Sequence, residues 1–238
     1  MRPKYLSVFS LIMICLLVSV LSTGTSKATI GNLIYPPLSN PLGIPYKDWG
    51  IKFFQWWLSI PKEIHPFSDP SRVNCFMGMG ESVVFFPDPI ISDLNKPTPI
   101  NYDCTIPSDR NIFLPGMLEF CNYDKTLKTD EDLQACAHKR NPFAHHDIFI
   151  DGQKVENIKQ FSFTTNYFNI TYPKDNPFDY PPGKSRALLD GTWLMIKPLP
   201  PGDHVIEEKI SQKMPLPQDQ ALNKFPSMKY LLHVVNWH

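Results

Sequence analysis

The chain has no surplus of charge of either sign: 23 Lys and Arg stand against 23 Asp and Glu. That excludes the strongly basic surface with which nucleic-acid binders neutralise phosphates. Glycine is scarce, with 11 residues against 25 prolines. Proline fixes φ and removes an amide donor, so rigid turns and extended edges are expected in place of long helices. Several catalytic signatures are missing. There is no Gly-x-Ser-x-Gly elbow, since Gly78-Met-Gly-Glu-Ser82 has the wrong order. There is no phosphate-cradling glycine loop and no His-Glu-x-x-His pair. No two carboxylates can be matched by spacing as the acid and base of a glycosidase. No cofactor is implied, and no repeat recurs at periods of about 20 to 50 residues. Apolar side chains are what the chain does have: 42% of residues are hydrophobic and 13% aromatic. That is not the composition of a disordered chain.

The longest apolar run is at the start. Arg2 and Lys4 precede Tyr5 to Ser22, and Ser26-Lys27-Ala28 follows. A charged start, an apolar middle and a small-x-small site are the layout of a secretory signal peptide, with cleavage expected near Ala28. The run is also about as long as the roughly 20 residues that span a bilayer, so an uncleaved anchor is the alternative. Either way residues 1–28 are an address, and the protein is expected to be secreted or at the cell surface. Losing them removes three bases (Arg2, Lys4, Lys27) and no acid, so the zero net charge of the whole chain becomes −3. Residues 29–45 read as an extended arm and 46–238 as one β-rich domain.

Beyond the leader the chain keeps Cys75, Cys104, Cys121 and Cys136. An even number behind a signal peptide reads as a set of disulfides. Of the three possible connectivities, the two local closures are expected: Cys75–Cys104 and Cys121–Cys136. The rival is a four-thiolate zinc site, but the spacings of 29, 17 and 15 are far from close C-x2-4-C pairs.

Tyr46, Trp49, Phe53, Trp56, Trp57 and Ile60 recur every three or four residues, opposite Asp48, Lys52, Gln55 and Ser59. This predicts an aromatic helix that starts near Pro45 and stops at Pro61. Its second apolar flank, Ile51, Phe54 and Leu58, favours core packing over a stacking platform for sugars. A short second helix is predicted at 130–140, capped by Thr129, with Cys136 on its apolar face so that a bridge to Cys121 would pin it. Strands are predicted at 82–86, 111–114, 161–165, 168–172, 193–196, 205–206 and 230–235. Asp151-Gly152 is a type I′ hairpin signal between 147–150 and 153–155. The expected fold is therefore mainly β: an antiparallel, jelly-roll-like sandwich with one aromatic helix and one disulfide-pinned helix.

The ordering Trp49, then Gln55-Trp-Trp-Leu-Ser-Ile-Pro61, Asn74-Cys75 and Val83-Val-Phe-Phe86 resembles the opening of a widespread family of secreted prokaryotic proteins. The family's Cys-x-(Val/Ile)-Pro segment resembles Cys104-Thr-Ile-Pro-Ser-Asp-Arg-Asn-Ile-Phe-Leu-Pro115, with Cys121 downstream. Its carboxy-terminal strand-turn-strand resembles Asp190 to His204. The resemblance covers roughly residues 46–238. It implies a secreted, disulfide-containing β domain and brings no activity with it. The chain departs from the pattern at Gly116 to Phe120, where more polar side chains are expected.

His145, His146 and Asp147 are the best metal candidates, with His204 or His233 as further ligands. Neighbours on an extended chain point to opposite faces, so His145 and His146 cannot both easily meet one ion. Asn169-Ile-Thr171 is an N-glycosylation sequon. These features point to a non-catalytic, exported β-sandwich that binds or builds the envelope, with an envelope glycan or a surface protein as partner. The alternative is a secreted hydrolase acting on envelope polysaccharide or protein.

Overall fold

The computed structural model describes residues 30–65, 82–86, 100–138, 144–212 and 227–236. The leader, Cys75 and residues 66–81 lie outside these. No described helix is long and apolar enough to cross a membrane.

The arm is tied to the domain. A single helical turn, α1 (Ile30–Leu33), leads into Ile34, which bridges to Ile196. The Tyr35 amide donates to the Met195 carbonyl at 3.0 Å, and the Trp49 indole donates to the Pro41 carbonyl at 3.0 Å. Helix α2 (Tyr46–Ser59) follows the proline that precedes its first turn. It buries Trp49, Phe53 and Trp57 on one flank and Phe54 and Leu58 on the other, while Lys52, Gln55 and Ser59 face water. The aromatic stripe is core, as its width demands; Trp56 is only half-buried, stacked on Phe85.

Among the described residues ten strands follow: β1 (Val83–Phe85), β2 (Ile100–Pro107), β3 (Asn111–Asn122), β4 (Ala144–Ile150), β5 (Gln153–Lys154), β6 (Ser162–Thr164), β7 (Phe168–Tyr172), β8 (Gly183–Ile196), β9 (Gly202–Gln212) and β10 (Met228–Val235). Helix α3 (Asp130–Ala137) interrupts them after β3. The first sheet runs β1-β3-β8-β6, with β7 also paired to β8; the second runs β2-β10-β9-β4-β5. The protein is a mainly β, two-sheet sandwich. Its pairs are antiparallel except the outermost one of each sheet, β1 with β3 and β2 with β10, which run parallel.

The two sheets meet face to face, with Phe86 against Tyr230 at 4.7 Å between ring centroids. The far face of the first sheet carries α2: Phe113 packs on Phe53 at 5.6 Å and Phe120 on Phe54 at 4.1 Å. Trp193 lies in this layer, fully buried. Gly50 and Gly191 make room for it, because a Cβ at either would come within 2.6 or 2.5 Å of its ring. With both faces covered, β8 shows an unbroken buried run at its end, whereas β10 alternates.

Three details depart from the sequence expectations. β3 does not stop at Pro115 but continues to Asn122. Pro115 still pairs with Trp193, and the ladder to β8 shifts register between Pro115 and Leu118, so the proline stands at the edge of an irregularity. β2 was not expected, although Tyr102, Cys104 and Ile106 alternate with exposed Asn101, Asp103 and Thr105. β9 is far longer than the predicted pair 205–206. The turn at Asp151 (φ 50°) and Gly152 (φ 76°) has the two positive φ angles of the expected hairpin.

Candidate functional site

The histidines singled out from the sequence go to different places. The pleat turns His145 outward and His146 inward. Asp147 pairs with Lys154 at 2.8 Å. His204 holds two turns together: its Nδ1 meets the Asp151 carboxylate at 2.8 Å and its Nε2 the Pro200 carbonyl at 2.9 Å. His233 stands on the outer face of the second sheet, bracketed by Asp203 at 2.7 Å and Asp103 at 3.0 Å. The Asp203 hydrogen bond, more than any other influence, raises its pKa above the ordinary histidine value.

His146 is paired instead with a residue that no spacing suggested. Its Nε2 lies 2.8 Å from Glu208 Oε2, and the two side chains are 5% and 0% exposed. The imidazole rests on Gly116 within the irregular stretch of β3, where any Cβ would strike the ring. Gly116 thus makes room for a histidine. His146 Nδ1 and Glu208 Oε1 have no hydrogen-bond partner among the described residues. The pair is buried between the sheets.

Cys121 and Cys136 are joined, and the bond ties α3 to the end of β3. Cys104 is also disulfide-bonded. Cys75, its expected partner, lies outside the described residues. Among the described residues one cluster could donate to a metal, Glu119 with Cys121 and Cys136, but both sulfurs are committed to the disulfide. Asn169 and Thr171 are exposed together on one face of β7.

A concave feature lies beside this disulfide. A cleft of about 600 Å³ is lined by residues 122–125, Tyr172 and residues 180–185. Three tyrosines and Pro181-Pro182 supply its apolar surface, and Lys125 and Lys184 stand exposed at its edge. Neither lysine has an ion-pair or hydrogen-bond partner among the described residues.

Each wall is fixed from behind. α3 begins with a reciprocal capping box between Thr129 and Asp132. Asp130, at its first turn, accepts a two-pronged bond from Arg186 at 2.6 and 2.8 Å and a third from the Tyr123 hydroxyl at 2.6 Å. The Arg186 bond first, and Tyr123 second, hold the Asp130 carboxyl below its usual range; the same bond to Asp130 raises the Tyr123 phenol. The opposite wall depends on Asn176, buried in the loop after β7. Its amide donates to the Pro173 and Tyr180 carbonyls at 3.0 and 2.8 Å, and its oxygen accepts from the Phe178 and Tyr180 amides. Asp124 closes its own turn, accepting the Leu127 and Thr126 amides. Those bonds lower its pKa, so it is a fixed anion.

The Tyr172 side chain is 4% exposed, and its hydroxyl has no hydrogen-bond partner among the described residues. Burial, then the nearby Tyr180 and Asp124, push its pKa up, so it remains a neutral donor. Tyr180 leans edge-on against it at 5.0 Å and is 39% exposed. None of Tyr123, Tyr172, Tyr180 or Asn176 was a candidate from sequence. Nor was Pro181-Pro182-Gly183, and the pairing of Asn122 with Ala187 that brings the walls together is long-range.

No family model matches the chain, and no curated protein matches it in sequence. Among solved structures, the cysteine protease inhibitor EhICP2 from Entamoeba histolytica is 12% identical, covering 58% of this chain and 95% of its own, with a TM-score of 0.22. PbICP-C, solved in complex with falcipain-2, is 11% identical, covering 66% of this chain and 99% of its own, with a TM-score of 0.25. At these scores neither likeness carries an argument about this chain.

Proposed function

We propose that this is an exported β-sandwich of the secreted family its motifs resemble, and that it acts by binding at the Tyr123–Tyr172–Tyr180 cleft. The observation that carries this reading is the cleft itself. It is aromatic, open to solvent, and braced by a disulfide, a capping box and a buried asparagine, so little order is lost when a ligand enters. A hydrolase would draw on His146 and Glu208, the pair most like an acid and base, and these are buried between the sheets. Two measurements on one sample test the reading. Short peptides and oligosaccharides are titrated while backbone amide resonances are followed, and the probes are then recovered. Binding requires shifts at residues 122–125 and 180–185 with the probe intact. A probe cleaved by the protein, and spared by Glu208→Gln, would establish the hydrolase instead. Export is tested by N-terminal sequencing of protein from the cell exterior: a start near residue 29 is expected, and an intact Met1 would indicate an anchor.

A further inference from the structure

We infer that the cleft takes an extended, proline-bearing peptide segment with acidic side chains, presented by a partner protein; this rests on the reading of the chain as a binding protein. Three features of the cleft converge on that ligand. Its apolar lining is aromatic and proline rings, Tyr123, Tyr172 and Tyr180 beside Pro181 and Pro182. Flat rings of this kind pack against the ridged surface of a polyproline helix, which arrives already extended and loses little entropy on docking.

The charges form the second feature. Lys125 and Lys184 have no partner among the described residues, while the one carboxylate in the cleft, Asp124, is occupied by the amides of its own turn. Two lysines at the rim against the single Asp124 carboxylate leave the cleft a net charge of 2 − 1 = +1, although the chain without its leader is net negative. An acidic segment is complementary to that rim, and a basic one is repelled.

The third feature is the Tyr172 hydroxyl. A buried hydroxyl without a partner costs about 1–3 kcal/mol. The backbone of a polyproline helix makes no internal hydrogen bonds, so its carbonyls are free to accept. The Tyr180 ring that packs edge-on against the Tyr172 ring is the exposed member of the pair, so a shift of that ring on docking would open the donor to a ligand carbonyl.

The probe is an end-capped peptide of consecutive prolines flanked by aspartates. Its controls are the same peptide with lysines for aspartates, the same with alanines for prolines, and a chitin tetrasaccharide. Calorimetry with the purified protein gives affinity, and amide resonances give the site. The acidic proline peptide should shift residues 122–125 and 180–185 and bind about ten-fold more tightly than either peptide control. Lys125→Glu with Lys184→Glu should remove that preference and flatten the dependence on salt. Tyr172→Phe should weaken binding without lowering the melting temperature, which a purely structural role for the hydroxyl would not produce. Three outcomes overturn the inference. If the tetrasaccharide moves the cleft resonances and the peptide does not, the binding reading stands and the peptide ligand falls. If the lysine peptide binds as well as the acidic one, the charge argument fails. If no probe moves these residues, both readings fail.

Discussion

The two sheets are built from similar numbers of strands and are covered differently. The first is buried on both faces, by the second sheet on one side and by α2 on the other. The second is buried only where it meets the first and turns its outer face to water. The difference shows that strand periodicity reports layers as much as strands. Trp193-Leu-Met-Ile196 is continuous because it has two dry neighbours, and Met228 to Val235 alternates because it has one.

The sharpest test of this contrast is a pair of truncations. Trp193→Ala should cost about 3–5 kcal/mol in urea unfolding, as buried aromatics do. Thr105→Ala, on the wet face of β2, should stay within about 0.5 kcal/mol. Equal losses would erase the distinction.

Next in size is the clamp beside the cleft. Replacing Cys121 and Cys136 with serine opens a loop of sequence separation 15, and a loop of that length should cost about 3 kcal/mol. The same variant should lose the amide shifts at residues 122–125 on titration, because Tyr123 is held through Asp130 of the tethered helix.

His65 and His233 sharpen the contrast through pH. His65 is buried beside Trp57, and desolvation lowers its pKa to about 4 against the hydrogen bond with Trp57 that raises it. Its neutral form favours the fold, so its contribution is complete above about pH 6.5. That contribution is lost as pH falls towards 4, to the extent of up to about 3 kcal/mol. Melting curves of the wild type and His65→Gln should converge with acid. His233 behaves in the opposite sense. Its pKa is raised, so what it adds is present below about pH 6.5 and fades as pH rises through the raised value. His233→Gln should show a small melting difference at about pH 5 that disappears by about pH 9.

Smaller than the tryptophan truncation is its converse. Gly191→Ala would set a methyl 2.5 Å from the Trp193 ring and should cost about 1–3 kcal/mol by overpacking. No loss would mean that the two-sided layer is looser than its burial indicates.

Local rules reached much of this architecture. The spacing of Trp49, Phe53 and Trp57 required a helix, Thr129 and Asp132 marked the start of α3, and Asp151-Gly152 marked a hairpin, because each depends on neighbours within a few residues. β2 escaped notice because Asn101 and Asp103 are poor strand formers, and its pairing comes from β10. β3 was cut short because proline ends a regular ladder but not an irregular one. The candidate site was hardly legible. Glu208 meets His146 across 62 residues, and Tyr123 meets Tyr172 only once β3 and β7 both lie against β8. Such meetings are properties of the assembled sheet, which no local pattern encodes.

One pairing sets a timetable. Among the described strands β2 pairs with β10 alone, in parallel register from Ile100 with Met228 to Pro107 with Val235. A chain made from its amino end produces β2 well before β10. Hairpins such as β4 with β5 can close while synthesis continues, at roughly 5–20 residues per second. β2 must wait until β10 has been made, and so must the stack of Tyr102 on Tyr230. Contacts so distant along the chain make folding slow. The finished molecule therefore seats an early strand only once a much later one exists to receive it.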